Sequence, residues 1–225
     1  MNFHEVSFRT EDGVDLSAWW IPSEGASRAA VLVHGQASSK SGRHVIETAL
    51  VYASAGYGVL MLDLRGHGES GWARRTLGLK EVRDVRAALG WLGKVGLDPD
   101  QIVLHGWSAG AATVLRAAPG TGVAAVVEES GYADLPPLLR AQLPEQSGLP
   151  AFFNPGVMLA SKLFLRADPW SIRPEIEARE LYRKNVPLFV IHSEGDQVVP
   201  VEHADRIVSA HPGARFWKLN RYAHV

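Results

Sequence analysis

The sequence predicts an α/β fold in which an eight-stranded, mostly parallel sheet carries helices on both faces. Two continuous apolar runs of strand length, at residues 29–33 and 58–62, are typical of buried parallel strands. Segments with helical patterning alternate with strand-like runs along most of the chain, which indicates βαβ crossovers. An acidic turn at residues 11–13 separates two β-rich segments, so the sheet is expected to begin with a hairpin.

The predicted elements alternate regularly, because apolar runs of four to eight residues are followed by longer amphipathic stretches. The predicted strands are residues 3–9, 14–21, 29–33, 58–62, 102–104, 123–127, 188–191 and 216–219. The predicted helices are residues 44–55, 79–95, a segment directly after Ser108, residues 174–185 and residues 201–210.

Composition excludes several classes of protein. The 225 residues fit one α/β domain, and 46% hydrophobic with 21% charged residues excludes disordered and collagen-like chains. Lysine and arginine number 23 against 24 acidic residues, so the basic excess that nucleic-acid binding requires is missing. The chain has no cysteine, which excludes disulfides, thiolate metal sites and cysteine nucleophiles.

The sequence shows no membrane-spanning run and no secretion signal. No apolar run approaches the ~20 residues that span a bilayer. Residues 1–13 lack the charged and apolar regions of a secretion signal. We therefore expect a cytoplasmic protein without an integral membrane segment.

A serine lies between two glycines where a predicted strand meets a predicted helix. Gly106 and Gly110 flank Ser108 in the pattern G-x-S-x-G, which is typical of a nucleophile held on a sharp strand-to-helix turn. The glycines allow that turn to pass close to its neighbours, and the helix N-terminus stabilises negative charge. A helix-capping serine between ordinary turn glycines is the alternative.

A serine nucleophile needs a base and a group that orients the base. Of nine histidines, His224 alone follows the last predicted strand, from where it can reach the carboxyl edge of the sheet. Asp196 closes the strand before it and falls on the same edge. The chain order Ser108, Asp196, His224 therefore predicts a Ser-Asp-His triad. Alternative acids after the sixth strand are Glu128, Glu129 and Asp134.

These motifs together resemble the α/β-hydrolase superfamily, in its serine-hydrolase branch of carboxylesterases, thioesterases, monoacylglycerol lipases and some aminopeptidases. The resemblance rests on residues 34–36 (HGQ), 63–70 (DLRGHGES), 106–110 (GWSAG) and 194–200 (EGDQVVP), in the family's order. It implies an oxyanion hole formed by the backbone N–H groups of Gln36 and Ala109.

The resemblance also assigns a role to the long stretch between the sixth and seventh strands. Residues 131–186 greatly exceed an ordinary connection and must carry structure of their own. We expect them to form a small helical cap, while residues 1–130 and 187–225 form the hydrolase core. The aromatic residues either pack the cap onto the core or line a substrate pocket. The predicted pocket residues are Trp107, Phe152, Phe153, Phe164 and Trp170.

The predicted activity is hydrolysis of a small-molecule carboxylic ester or thioester through an acyl-enzyme, without cofactor or metal. A non-hydrolytic ligand-binding protein, a lyase or a serine peptidase on the same scaffold are the alternatives. Residues 66–71 match the dinucleotide pattern G-x-G-x-x-G but do not open a helix directly after the first strand, so they are interpreted as turn glycines. No histidine and carboxylate spacing indicates a metal site.

The end of the chain departs from the family's pattern. Members continue past the histidine with a helix on the sheet, whereas this sequence stops at Val225. We expect the natural chain to continue with an amphipathic helix of roughly 12 to 20 residues. That helix is expected to cover the apolar residues Phe216, Trp217 and Leu219.

Overall fold

The structure is a computed structural model that describes residues 2–23, 25, 27–148, 150, 153–165, 168–220 and 223–224. The strands are β1 (His4–Arg9), β2 (Asp15–Ile21), β3 (Ala29–Val33), β4 (Gly58–Leu62), β5 (Ile102–Trp107), β6 (Ala125–Glu129), β7 (Leu188–Ser193) and β8 (Arg215–Leu219). The helices are α1 (Arg43–Ser54), α2 (Val82–Lys94), α3 (Ala109–Ala117), α4 (Leu135–Ser147), α5 (Asn154–Leu165), α6 (Pro174–Arg183) and α7 (Glu202–Ala210).

All eight strands form one sheet in the order β1-β2-β4-β3-β5-β6-β7-β8. β2 pairs antiparallel with β1 and with β4, while every pair from β4 to β8 is parallel. This confirms the predicted α/β class with its initial hairpin. The carboxyl ends of β3, β5, β6, β7 and β8 consequently meet at one edge, which is where open α/β sheets bind ligands.

Helices cover both faces of the central strands, and every residue of β3 and β4 is buried. The larger core cluster joins one face of the sheet to α2, α3, α6 and α7. The smaller cluster joins the other face to α1 and includes Trp107. Continuous apolar runs predicted these two strands well because neither face of either strand meets water.

Three strands extend beyond their predicted ends. β5 continues through Trp107, β6 lies at Ala125–Glu129 and β7 continues through Ser193. The backbone of Trp107 pairs with that of Glu129, and Ser193 pairs with Leu219. Ladder hydrogen bonds thus carry the strands over polar residues, which apolar runs alone do not reveal.

The stretch between β6 and β7 contains α4, α5, a short 3₁₀ turn at Pro169–Ser171 and α6. α6 packs against α3 and α7 and places Ala178 and Leu181 in the larger core. α6, which lies within the predicted cap at residues 131–186, thus packs against helices of the predicted core. α4 and α5 contact each other and the 3₁₀ turn.

The last strand is covered unequally. Phe216 packs against the larger core, whereas Trp217 on the other face is 56% exposed. Across the part of the chain that the structure describes, no helix has both the length and the apolar character needed to cross a membrane.

Candidate active site

Ser108 lies on a strained turn between β5 and α3. Its backbone angles are φ 52° and ψ −118°, in the left-handed half of the map that residues with a side chain avoid. A Cβ atom on Gly106 would overlap the backbone of Gly110, and one on Gly110 would overlap the carbonyl oxygens of Val33 and His34. Both glycines of the motif are therefore required by close backbone approach, which holds the serine above the sheet edge.

His224 links Ser108 to Asp196. Its Nε2 atom lies 2.8 Å from the Ser108 Oγ atom, and its Nδ1 atom lies 2.7 Å from Oδ2 of Asp196. Both distances are those of hydrogen bonds. The hydrogen-bonded series that the sequence predicted from strand ends is thus formed by three side chains. They come from the turn after β5, the loop after β7 and the segment after β8. An acceptor at Nδ1 leaves Nε2 free to take the serine proton.

The carboxylate of Asp196 is held by backbone as well as by the histidine. Its Oδ1 atom accepts the N–H groups of Val198 at 2.9 Å and of Val199 at 2.8 Å. Burial opposes ionisation of Asp196, but the hydrogen bonds from His224 and Val199 outweigh burial and lower the pKa of the carboxyl. Asp196 therefore remains ionised and can stabilise an imidazolium at His224.

The loop after β3 lies against the serine turn. A Cβ on Gly35 would come within 3.1 Å of the Ser108 Cβ and 3.2 Å of the Trp107 carbonyl oxygen, so only glycine allows this approach without a shift. The next residue, Gln36, lines the same cavity as Ser108, Ala109 and His224. The first N–H groups of a helix have no partner inside the helix, and Ala109 begins α3.

His34 fixes the start of that loop. The ring is fully buried, its Nδ1 lies 2.7 Å from the Gly35 carbonyl oxygen, and its Nε2 lies 3.1 Å from the Leu64 backbone nitrogen. Burial lowers its pKa to about 4, so the ring is neutral at physiological pH. Nδ1–H then donates to Gly35 while Nε2 accepts from Leu64, which ties the loop to the segment after β4.

Lys40 fixes the other end of the same loop. Its backbone N–H donates to Oδ1 of Asp63 at 2.7 Å, and its Nζ donates to Oδ2 of the same carboxylate at 2.6 Å. The Nζ atom also donates to Glu69 at 2.5 Å. The loop that contains residues 34–36 is thereby tied to the motif at residues 63–70.

A cavity of about 340 Å³ opens beside Ser108. Its volume is within the range of small-molecule sites. Most of the wall is aliphatic and comes from α4, the loop after β7 and the segment after β4. The described residues that line the cavity are Gln36, Leu77, Ser108, Ala109, Tyr132, Leu135, Leu138, Leu139, Gln142, Val198, Val199 and His224.

The aromatic residues predicted for the pocket lie elsewhere or outside the described residues. Trp107 is 1% exposed and packs in the cluster on the α1 side, stacked 4.3 Å from His105. Successive side chains of a strand point to opposite faces of the sheet. The Trp107 ring lies on the α1 face and therefore points away from the cavity. Phe153 is 46% exposed and Trp170 39% exposed, and the described lining includes neither. Phe152 and the side chain of Phe164 lie outside the described residues.

The alternative acids have other partners. Oε1 of Glu128 accepts the Gly131 N–H, Oε2 of Glu129 lies 3.4 Å from Nε2 of His105, and Asp134 pairs with Arg206 at 3.2 Å. Residues 66–71 form a turn after β4 that leads into irregular chain rather than a helix. Among the residues that the structure describes, no three histidines or carboxylates are grouped as for a metal ion.

The aliphatic lining is the part of the site that sequence reasoning missed. Leu135, Leu138, Leu139 and Gln142 recur at the spacing of one helix face, which predicts an amphipathic helix in the insertion. Leu77 carries no comparable signal, because it lies in an irregular segment.

Comparison with known proteins agrees with the fold. A model of the alpha/beta hydrolase family matches residues 30–225. An uncharacterized protein of Mycobacterium tuberculosis is 32% identical over 209 residues, and the protein YfhR of Escherichia coli K12 is 25% identical over 213 residues. These alignments cover 92% and 91% of this chain, which spans 66% of the length of each relative. The esterase Pf2001 of Pyrococcus furiosus superposes with a TM-score of 0.74 at 27% identity, covering 100% of this chain and 85% of the esterase.

Proposed function

The chain belongs to the alpha/beta hydrolase family, and we propose that it is a serine hydrolase that cleaves a carboxylic ester or thioester through an acyl-enzyme. The observation that carries the proposal is the hydrogen-bonded series Ser108–His224–Asp196 beside a cavity of about 340 Å³. Similarity to the Pyrococcus furiosus esterase supports the same reaction class.

In the first half of the reaction, the Oγ atom of Ser108 attacks the carbonyl carbon while Nε2 of His224 takes the hydroxyl proton. The carbonyl oxygen becomes an oxyanion, and the backbone N–H groups of Gln36 and Ala109 stabilise it. Asp196 stabilises the imidazolium. The intermediate collapses when the bond to the leaving alkoxide or thiolate breaks, and the proton on Nε2 leaves with that group.

In the second half, water replaces the leaving group. His224 removes a proton from the water, the hydroxide attacks the acyl carbon, and a second oxyanion forms in the same place. Its collapse breaks the bond to Ser108 Oγ, which regains the proton from His224. The products are the free acid and the alcohol or thiol, and the chain returns to its starting state.

An ester or thioester suits this site better than a peptide. A peptide amino terminus needs an acidic group to receive its ammonium, and the described lining of the cavity contains no carboxylate. Amide cleavage also demands stronger protonation of the leaving nitrogen. The aliphatic wall favours a small uncharged substrate.

Matched substrates with one acyl group test the proposal. The butyryl group is presented as the p-nitrophenyl ester, a thioester and the p-nitroanilide, and a fluorophosphonate probe labels the active serine. We expect labelling at Ser108 and turnover of the ester and thioester at least 100-fold faster than that of the anilide. Labelling without turnover of either would support the non-hydrolytic alternative, and a preference for the anilide would support the peptidase.

A further inference from the structure

The cavity beside Ser108 has one wall that is held in a strained conformation. Starting from the proposed hydrolase function, we infer that the cavity binds an uncharged aliphatic chain of the ester and that Leu77 determines how long that chain can be. Leu77 belongs to the segment between β4 and α2, and it lines the cavity together with leucines of α4.

The lining selects against charge. Eight of the twelve described lining residues are Leu, Val, Ala or Tyr, and none of the twelve carries a carboxylate, ammonium or guanidinium group. His224 is the only imidazole among them, and the triad uses it. An ionised group on the substrate chain would therefore be buried without a partner, which is costly.

Two polar side chains of the wall are hydrogen-bonded to backbone carbonyl groups inside the protein. The hydroxyl of Tyr132 donates to the Leu77 carbonyl oxygen at 2.7 Å, and Nε2 of Gln142 donates to the Val198 carbonyl oxygen at 2.5 Å. Tyr132 is 3% exposed, and burial raises the pKa of its hydroxyl. The exposed lining of the cavity is more apolar than polar, which suits methylene groups.

The backbone of Leu77 is in a strained conformation. Its φ of 52° lies in the left-handed region, which a bulky residue adopts only under strain. The adjacent Gly78 adopts φ 86° without that cost. Glycine at position 77 would relieve the strain, but it would remove the side chain that forms this wall.

Several hydrogen bonds hold the segment in place. Glu81 accepts the N–H groups of Thr76 at 2.6 Å and of Gly78 at 3.0 Å, and Arg116 donates to the Gly78 carbonyl oxygen at 2.5 Å. Together with the bond from Tyr132, they fix the backbone on both sides of Leu77. A wall held this firmly discriminates between chain lengths, because it cannot retreat when a longer chain enters.

The volume sets the size of the chain. At about 30 Å³ for each small group, the volume that a water molecule occupies in the liquid, 340 Å³ holds about ten non-hydrogen atoms. We therefore expect a maximum of kcat/KM for chains of about six to ten carbons. Leucine at position 77 limits the length at the upper end.

Two substrate series test this inference and determine which side of the ester occupies the cavity. In one series, p-nitrophenyl esters carry acyl chains of two to twelve carbons. In the other series, acetic acid is esterified with alcohols of the same chain lengths. Hydrolysis in that series is measured by the release of acid. We expect an optimum in one series only, and that series identifies the acyl or the alcohol side. Equal kcat/KM from two to twelve carbons in both would overturn the inference.

Variants at position 77 test the role of the leucine. Leu77→Gly should move the optimum upward by at least two carbons, because it removes the side chain that forms this wall. Leu77→Phe should lower kcat/KM for the octanoyl ester relative to acetyl by at least tenfold. Leu50→Ala, an exposed truncation on α1, is the matched control and should change neither. An unchanged optimum in folded Leu77→Gly contradicts the assignment.

A charged substrate and a binding measurement separate this inference from the proposed function. The p-nitrophenyl monoester of adipic acid should react at least 100-fold more slowly than the hexanoyl ester. Equal rates for the two would refute the aliphatic site while leaving the hydrolase intact. If no ester is turned over, ethyl octanoate binding to Ser108→Ala, measured by calorimetry, still decides. If adding Leu77→Phe to Ser108→Ala weakens the binding of ethyl octanoate at least tenfold, the aliphatic site is supported. If ethyl octanoate does not bind, or binds equally to both variants, the inference is overturned.

Discussion

The Oγ atom of Ser108 lies 2.8 Å from Nε2 of His224, so the serine turn after β5 is joined to the segment that follows β8. That one contact connects the strained turn to a base whose other nitrogen lies on a buried carboxylate. The three residues of this series are held by different parts of the fold.

Removing the nucleophile should abolish turnover without unfolding the chain. Ser108→Ala keeps the Cβ atom and therefore leaves the demands on the strained backbone turn unchanged. The melting temperature should stay within about 2 °C of that of the wild-type chain. The kcat for esters should fall by roughly 10⁶, as in a serine protease that loses its nucleophile. Ser54→Ala, at the exposed end of α1, is the control and should be fully active. Retention of a tenth of the activity in Ser108→Ala would contradict the assignment.

Neutralising the acid should impair His224 rather than substrate binding. Asp196→Asn should lower kcat by about 10⁴ with little change in KM, because an amide at this position no longer favours the required tautomer. Asp205→Asn on the neighbouring helix α7 removes an exposed carboxylate paired with Lys218 and should have no effect on kcat. Steady-state kinetics on both variants decide. A large loss in Glu128→Gln with a small loss in Asp196→Asn would place the acid at the end of β6.

A methyl group at Gly110 should be far more damaging than one at Gly90. The Cβ of Gly110→Ala overlaps the carbonyl oxygens of Val33 and His34, so the free energy of unfolding should fall by at least about 3 kcal/mol. The Cβ of Gly90→Ala, in the exposed side of α2, meets nothing within 4 Å and should stabilise the chain by about 0.5–1 kcal/mol. Urea unfolding measures both. Equal effects would show that the α3 contact with β3 is not tight.

Glu128 should make stability depend on pH. Burial raises the pKa of this fully buried carboxyl to about 8 from its ordinary value of 4.5. The folded state therefore holds a proton that the unfolded state releases, and the stability present below pH 4.5 is lost as the pH rises through about 8. Relative to Glu128→Gln, the wild-type chain should lose up to about 1.4 kcal/mol per pH unit over this window. Urea unfolding at pH 5, 6.5 and 8 tests this, and a constant difference between the two chains would refute it.

Much of the candidate active site could be predicted because its members carry local signals. The glycines around Ser108 mark a turn, and the apolar strand before Asp196 fixes the edge at which that residue emerges. Parallel strands place all such ends together, so the chain order was enough to bring Ser108, Asp196 and His224 to one edge. The parallel order of β3 to β8 follows from the same alternation of strands and helices.

The substrate wall could not be predicted in the same way. Whether Trp107 faced the cavity depended on the direction of its side chain at the end of β5, and the structure directs it to the α1 side. The part that α6 plays in the core depended on its packing against α3 and α7, which no composition signal in the insertion indicates.

The sequence by itself determined the fold class, the turn that carries Ser108 and the two residues that partner it, because these depend on backbone sterics and on periodicity within short segments. Only the tertiary structure decided which side chains form the cavity. Leu77 and the leucines of α4 lie far apart in the chain, and they meet because a strained segment and a helix of the insertion are packed over the same sheet edge. Long-range packing selects such neighbours by shape and burial, which no local pattern encodes.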